Sequence, residues 1–481
     1  MIYKTNRAEI QSYLEDTSNL AGSADILYIP ENIDDLKKAL ADCLMSKRVV
    51  TFSAGRTGTT GGCVPQNGAV ISFERFNAIN MIDESAGVLK VSAGVTLSVI
   101  ESFSARYGFC LRAVPTESLA CIGGAVSTAA SGMRGFRYGS IRSYVLGMDV
   151  MLYDGTILNL KRGSIFADGY KFCFESKGKK FEFDMPDYNM PDCKSQAGYY
   201  TKADMDIIDL FIGSEGTLGI ILSVTLQLQK KPWSVFDGLA FFVSEHDAFN
   251  FVSSVRTARL REGFNPTSLE FLDKNSLDFV KEDFSFIPSD CMCAVYFEQE
   301  SDRKEERDAS LDVWMRILER NNAILDTVII AETEAERAKL FDFRHKIPQN
   351  INEFLRKYSQ VKLSADLAVP HDKFLKLYEF YKINAEQSGI RYVNFGHIGE
   401  AHLHFNFLPC TDEESFSAKK YMKEFAAKAI SLGGSISAEH GVGKLKREYL
   451  AMMYGKKTIN KMRQVKKVFD PYGMFNKGNI F

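Results

Sequence analysis

Three glycine-bearing segments punctuate the first half of this 481-residue chain and restrict what it can fold into. The first, Ser53-Ala54-Gly55-Arg56-Thr57-Gly58-Thr59-Thr60-Gly61-Gly62, follows a helix-to-strand pattern. Ile33, Leu36, Leu40 and Leu44 recur at helical spacing, and the β-branched run Val49-Val50-Thr51 comes directly after. A dinucleotide fingerprint of the Rossmann type needs its glycines to open a helix, so that a pyrophosphate sits on the helix N-terminus. Here the next element is another strand, Ala69-Val-Ile-Ser-Phe73, and that requirement is not met. The second segment is Cys121-Ile-Gly123-Gly124-Ala-Val-Ser127-Thr-Ala-Ala-Ser-Gly132, and the third is Ile212-Gly213-Ser-Glu215-Gly216-Thr-Leu-Gly219. Singly, each fits a tight turn; equally, successive N–H groups beside glycine can form a concave nest for phosphate oxygens.

A chain of this length exceeds what one core usually supports, so two domains, or one with an insertion, are expected. Strands and helices mix throughout: Leu89–Ala93 reads as strand, Thr96–Arg106 as helix, and Met148–Tyr153 with Asp154-Gly155 as a hairpin. Between about 161 and 206 a Lys-, Asp- and aromatic-bearing stretch alternates like an inserted surface hairpin. After Lys231-Pro232 amphipathic helices are expected around 245–257 and 307–320, with strands at Cys293–Phe297 and Thr327–Ile330. A domain boundary is placed there, giving segments 1–232, 233–440 and 441–481, the last holding a periodic basic stretch from Lys456 to Val468.

The net charge of −2, without a charged tail, argues against nucleic acid or a polyanion as partner. The N-terminus has no apolar signal core and no stretch approaches membrane-span length, so a cytoplasmic location, at most peripheral at the membrane, is expected. The nine cysteines are scattered. The one close pair, Cys291 and Cys293, lacks the second pair that a zinc or iron–sulfur site would need, so they read as reduced structural thiols.

Four of the seven histidines lie between residues 397 and 440. In His402-Leu-His404-Phe-Asn406 a strand would turn His402, His404 and Asn406 to one face. Gly399 and Ala401 leave room for a turn that brings His397 back toward His404. Glu439-His440-Gly441 supplies an anionic ligand and a further nitrogen base from a distant segment. Imidazoles and a carboxylate are what divalent metal sites and proton abstraction require, whereas His246, His345 and His371 read as ordinary histidines. His402 stays open between ligand and satisfied core residue.

The runs Ser53–Asn77, Pro115-Thr116-Glu-Ser-Leu-Ala-Cys-Ile-Gly-Gly124, Tyr138–Gly147 and Leu210–Gly219 resemble the flavin domain of the FAD-linked oxidases of the vanillyl-alcohol oxidase superfamily. That resemblance implies an α+β fold: a PCMH-type FAD-binding domain of two α+β subdomains, and an α+β cap domain with an antiparallel sheet. The C-terminal segment is expected to return to the flavin domain. It implies FAD contacts from Ser53, Ala54, Gly55, Arg56, Thr57, Gly58, Thr59 and Thr60, from Pro115, Thr116, Gly123, Gly124 and Ser127, and from Gly213, Glu215, Gly216, Gly219 and Ile220. Some members of the superfamily attach FAD through histidine. The first histidine here is His246, so non-covalent FAD is implied.

Phe395–His404, Gly434–Arg447 and Asp470-Pro-Tyr-Gly-Met-Phe-Asn476-Lys-Gly478 resemble the C-terminal domain of the flavin-dependent D-2-hydroxyacid dehydrogenases, the D-lactate, D-2-hydroxyglutarate and glycolate group. By that resemblance His397, His404 and Glu439 bind a divalent metal, zinc first with manganese or iron also suited. His440 is the base, Arg344 holds the substrate carboxylate, and Asn476 lies near the flavin. Two departures stand out: Ala401-His402 where Gly-Asn is usual, and Ser364, with Lys362 upstream, where some relatives place a substrate lysine. The implied activity is oxidation of a small D-2-hydroxy acid to the 2-oxo acid. The electron acceptor, a quinone, electron-transfer flavoprotein, cytochrome or iron–sulfur subunit, must be separate, and a homodimer is compatible with the chain. A zinc hydrolase with structural glycine segments, and a flavin-binding subunit or ether-lipid-forming relative without net dehydrogenation, are the competing readings.

Overall fold

The structure, a computed structural model, describes residues 1–481. Strands Ile26–Ile29, Ala69–Ser72 and Val50–Ser53 run parallel, with Ile2–Lys4 antiparallel on the edge. The expected helix forms over Ile33–Met45, capped by Asn32, whose side chain accepts from Asp35 N–H at 2.9 Å, and it buries Leu36, Ala39, Leu40 and Cys43. Val50–Ser53 and Ala69–Ser72 are adjacent parallel strands joined by the first glycine loop, without a helix between them. This is the physical reason that the loop is not a Rossmann turn.

An antiparallel five-stranded sheet follows in the order Ile79–Asp83, Val88–Ser92, Ile220–Gln227, Val145–Met151, Ile157–Lys161. The last two strands form the Asp154-Gly155 hairpin anticipated from the sequence. The short helix Ile122–Ser127, carrying the second glycine segment, packs on this sheet with Ile122 and Val126 fully buried.

The second half is built on a seven-stranded antiparallel sheet in the order Ile329–Ala331, Ser234–Phe242, Cys293–Ser301, Ser268–Asp273, Tyr392–Gly396, His402–Phe407, Leu363–Ala368. Its two central strands, Ser268–Asp273 and Cys293–Ser301, are buried at every position. Alternation still sorts the side chains. Phe271 packs against Phe249 and Tyr378 of the covering helices, whereas Glu270 turns to the opposite face. On that opposite face Glu298 receives a two-pronged bond from Arg134 at 2.7 and 2.8 Å, and Glu300 lies 2.9 Å from Arg112, so ion pairs join the two halves. No helix is long and apolar enough to cross a membrane.

Three local expectations are revised. The strand anticipated at Thr327–Ile330 is a 3-10 turn, Leu325–Thr327, followed by a strand at Ile329–Ala331. The C-terminal helix starts earlier, at Arg447, and runs to Phe469 with a break at Gly455, whose φ of 73° no helix accommodates. Residues 161–206 do contain a hairpin, Lys171–Ser176 with Lys179–Asp184, but they are built into the body rather than lying on its surface. Phe172 and Tyr199 have no exposed surface, and Phe181, Phe183 and Phe211 enclose Phe469 at ring distances of 5.2 to 5.8 Å. The C-terminal segment therefore packs on the first half, where Phe475 bridges Val50.

In the cap, Trp314 is fully buried and stacks on Phe297 with ring centroids 3.9 Å apart. Trp314→Ala should cost about 3–5 kcal/mol, the usual penalty for emptying an aromatic core site, read as a lower urea midpoint for cap unfolding. An unchanged midpoint would contradict this packing.

Candidate active site

Strand pairing places the histidines. His404 lies opposite Phe395 on one side and Asp366 on the other, while His402 pairs with Ala368. Between His397 and His402 the chain makes a 3-10 turn, Ile398–Glu400, and closes through Ala401 in the left-handed conformation, φ 54°. Gly396 is required where it stands. Its φ is 134°, and a Cβ there would come within 2.9 Å of the His404 ring.

The result is convergence. His397 Nε2 lies 3.3 Å and His404 Nε2 3.8 Å from Glu439 Oε2. One donor atom from each of His397, His402, His404 and Glu439 falls within 4.8 Å of the others. Supporting groups fix the donors: Glu270 Oε1 holds His397 Nδ1 at 2.5 Å, turning Nε2 inward. Glu439 Oε1 accepts from Lys194 Nζ at 2.5 Å and Ser131 Oγ at 3.1 Å, which leaves Oε2 free. Lys194, from the 161–206 segment, also pairs with Glu400.

Charge favours a cation here. Burial would depress the His397 imidazole, but Glu270 and Glu439 outweigh it and raise its pKa to about 9. Burial pushes His404 and His402 down, so both are neutral, while the Glu439 carboxyl is held well below its usual range, against its burial, by His397 and Lys194. A site that takes up a proton at His397 and keeps Glu439 ionised suits a divalent ion, which would displace that proton on binding. Imidazoles with one carboxylate fit zinc, and also manganese or iron.

Next to this cluster lies Asp366, 4% exposed, which holds His440. Its Oδ2 accepts from Lys446 Nζ at 2.5 Å and from the backbone N–H of His440 at 3.2 Å, and lies 3.3 Å from His440 Nδ1. With Nδ1–H directed at a carboxylate, His440 Nε2 is left as the proton acceptor, 3.9 Å from Glu439 Oε2.

These groups close one end of a cavity of about 430 Å³, within the range of ligand sites. Its walls include Ser53, Ala54, Gly55, Arg56, Thr57, Gly58, Thr59, Thr60, Pro115, Thr116, Gly123, Gly124, Ser127, Glu215, Gly216, Gly219, Ile220 and Asn476, and its far end Arg344, His397, His404, Glu439 and His440. A Cβ at Gly124 would meet nothing within 4 Å and would project into this space, which is the cradle a bulky dinucleotide needs. Gly213 does not line the cavity; it turns beneath Arg142, whose Nη2 would lie 3.3 Å from a Cβ at that position.

Three other residues have partners that the sequence did not suggest. The Glu215 carboxylate accepts from Val442 and Gly443 N–H at 2.6 and 2.8 Å and so tethers the His440 loop. Asn476 bonds Phe52 N–H and the Glu215 carbonyl at 2.9 and 2.7 Å. Arg344 spends Nε and Nη2 on Glu270, at 3.1 and 2.5 Å, leaving Nη1 for a ligand. Neither Lys362 nor Ser364 lines the cavity. Asp366, Glu270 and Lys194 were given no role; a charge in a buried strand could have marked the first two, whereas the run around Lys194 is half-buried and gave no signal.

A glycine-looped cavity that ends in a histidine–carboxylate cluster fits a two-domain flavin oxidoreductase. The chain belongs to the FAD-linked oxidases: residues 237–480 match the family model described as FAD linked oxidases, C-terminal domain, and residues 24–161 match that of the FAD binding domain. It is 29% identical to the glycolate oxidase subunit GlcD of Bacillus subtilis, with 98% of this chain and 92% of the relative aligned. Identity to a D-lactate dehydrogenase of Anaerostipes hadrus is 28%, over 98% and 92%. To a D-2-hydroxyglutarate dehydrogenase of Stutzerimonas stutzeri it is 27%, over 99% and 95%. The fold is shared with a solved alkyldihydroxyacetonephosphate synthase, TM-score 0.70 at 18% identity, covering 98% of this chain and 81% of that one. The chain is thus an FAD-dependent oxidoreductase, which removes the reading of a hydrolase with merely structural glycine segments.

Gly124→Val should fill cradle space and lower the flavin content of purified protein several-fold, read as the ratio of flavin to protein absorbance. Full occupancy in that variant would show that the cavity is not where the flavin lies.

Proposed function

We propose that the chain oxidises a small D-2-hydroxy acid, of the D-lactate, D-2-hydroxyglutarate or glycolate class, to its 2-oxo acid. The observation that carries this reading is His440 Nε2, directed by Asp366 and facing the same cavity end as the His397, His404 and Glu439 donors. The names of relatives aligned over more than nine-tenths of their length support the substrate class. The division into a flavin domain over 1–232, a cap over 233–440 and a returning segment over 441–481 belongs to the same reading.

The walls that include Gly55, Gly58, Gly123 and Gly124 would hold FAD non-covalently, and the flavin would supply a hydride acceptor there. His397, His404 and Glu439 would hold a divalent ion, which would supply Lewis acidity toward the substrate hydroxyl. His440 Nε2 takes the hydroxyl proton, and Asp366 stabilises the imidazolium that results. Arg344, fixed in orientation by Glu270, offers Nη1 to the substrate carboxylate. The electron acceptor would be a separate carrier.

The decisive experiment is anaerobic flavin reduction by a panel of D-2-hydroxy acids, run with and without a chelator. Bleaching should occur with one member, vanish on chelation and return with one metal. Bleaching that persists after elemental analysis shows the metal gone would reject the metal's part; no bleaching with any member would favour a flavin subunit without dehydrogenation.

His440→Asn should keep FAD bound and slow reduction by about 10²–10⁴-fold, the usual contribution of a positioned base. Unimpaired reduction would exclude His440 from that role. Glu270→Gln should weaken metal binding about 10–100-fold by releasing the orientation of His397; unchanged affinity would show that His397 is not a ligand.

A further inference from the structure

One side chain of the cluster has no occupation in that mechanism. His402 is completely buried, and its ring centroid lies 4.6 Å from that of His404 and 5.5 Å from that of His397. Neither of its ring nitrogens makes a hydrogen bond of good geometry; the nearest polar group, Asp366 Oδ1, lies 2.9 Å from Nε2 at an unfavourable angle. A buried core histidine is ordinarily satisfied by hydrogen bonds, so an imidazole left this way needs another partner. Strand alternation turns His402 and His404 to the same side, while Leu403 between them enters the core. One His402 nitrogen lies within 4.8 Å of donor atoms on His397, His404 and Glu439.

We infer that His402 is a fourth protein ligand of the divalent ion, with one ring nitrogen on the metal and the other turned to the Asp366 carboxylate. This rests on the metal reading proposed above and extends it from two histidines to three. A carboxylate behind a ligating imidazole is the usual way to fix its tautomer and orientation. Asp366 would then serve two histidines, the ligand His402 through Oδ1 and the base His440 through Oδ2. Four protein ligands also fill a tetrahedral shell, so an ion that still engages the substrate must be five- or six-coordinate. That favours manganese, iron or cobalt, or zinc with an expanded shell, over tetrahedral zinc.

The test is metal affinity, read independently of turnover. Flavin-loaded full-length protein is stripped with a chelator and titrated with zinc and cobalt(II) against a chromophoric competitor, comparing wild type, His402→Asn and His397→Asn. His402→Asn should raise the Kd more than about 100-fold, beyond the 10–100-fold typical of an outer-shell change, and so approach His397→Asn. A Kd within about 100-fold of wild type, while His397→Asn loses the metal, overturns the fourth ligand and spares the metal site. If wild type takes up neither metal, or His397→Asn binds as well as wild type, the metal reading falls and this inference with it. Flavin absorbance reports folding of each variant. Should His402→Asn lose its flavin, X-ray absorption of the cobalt-loaded wild type decides, since three imidazoles support the assignment and two reject it.

Discussion

A single buried carboxylate, Asp366, is the interaction on which the reaction end of this molecule depends. Taking an ion from water into the interior is costly unless every lone pair finds a partner. Asp366 meets that condition with Lys446, the backbone N–H groups of Glu439 and His440 and the Ser437 hydroxyl, and it lies 3.3 Å from His440 Nδ1. Burial opposes its ionisation, yet Lys446 and His440 hold it well below the usual carboxylate range. Its hydrogen-bond partners come from the 437–440 segment and the start of the C-terminal helix, while Asp366 itself sits on the strand paired with His402–Phe407, so one charge ties the three together. Neutralising it would leave half-buried Lys446 without its counter-ion and release His440 from its orientation.

Much of this was legible in the sequence, for physical reasons that differ by element. The alternation in His402-Leu-His404 is a two-residue period, and a strand must obey it; the loop glycines mark places where backbone has to approach something closely. Both kinds of signal are local, and both located real features. Asp366, Glu270 and Lys194 carry no local pattern that names a partner. Each acts through a partner 70 or more residues away, as in the pairing of Glu270 with Arg344 and His397, and only folding brings those partners together. Glu215 shows the converse. Its place in a glycine segment suggested a ligand contact, but its carboxylate is spent on the backbone of the 442–443 loop. Gly213, in the same segment, serves the turn beneath Arg142 and does not reach the cavity.

The 161–206 segment illustrates how surface-like composition can mislead. Its lysines and acids are mostly exposed, but Phe172, Phe181 and Phe183 on alternate strand positions form one apolar face against Phe469. The same segment delivers Lys194 to Glu439, so the carboxylate of the cluster is held by a residue from the half that also carries the glycine loops. The Arg134–Glu298 and Arg112–Glu300 pairs act in the same direction, adding charge to the apolar core that the two halves share.

Gly443 rests directly on the first glycine loop: a Cβ there would lie 2.2 Å from the Thr60 carbonyl, and Val50 N–H bonds the Met474 carbonyl at 2.7 Å. A strand begun at residue 50 is therefore completed by residues more than 420 positions later. On a ribosome that emits the chain from its N-terminus, the early sheet and its glycine loop wait unfinished until nearly the whole polypeptide has emerged. A nascent chain stopped short of residue 440 lacks the segments that pack on this loop and extend this sheet.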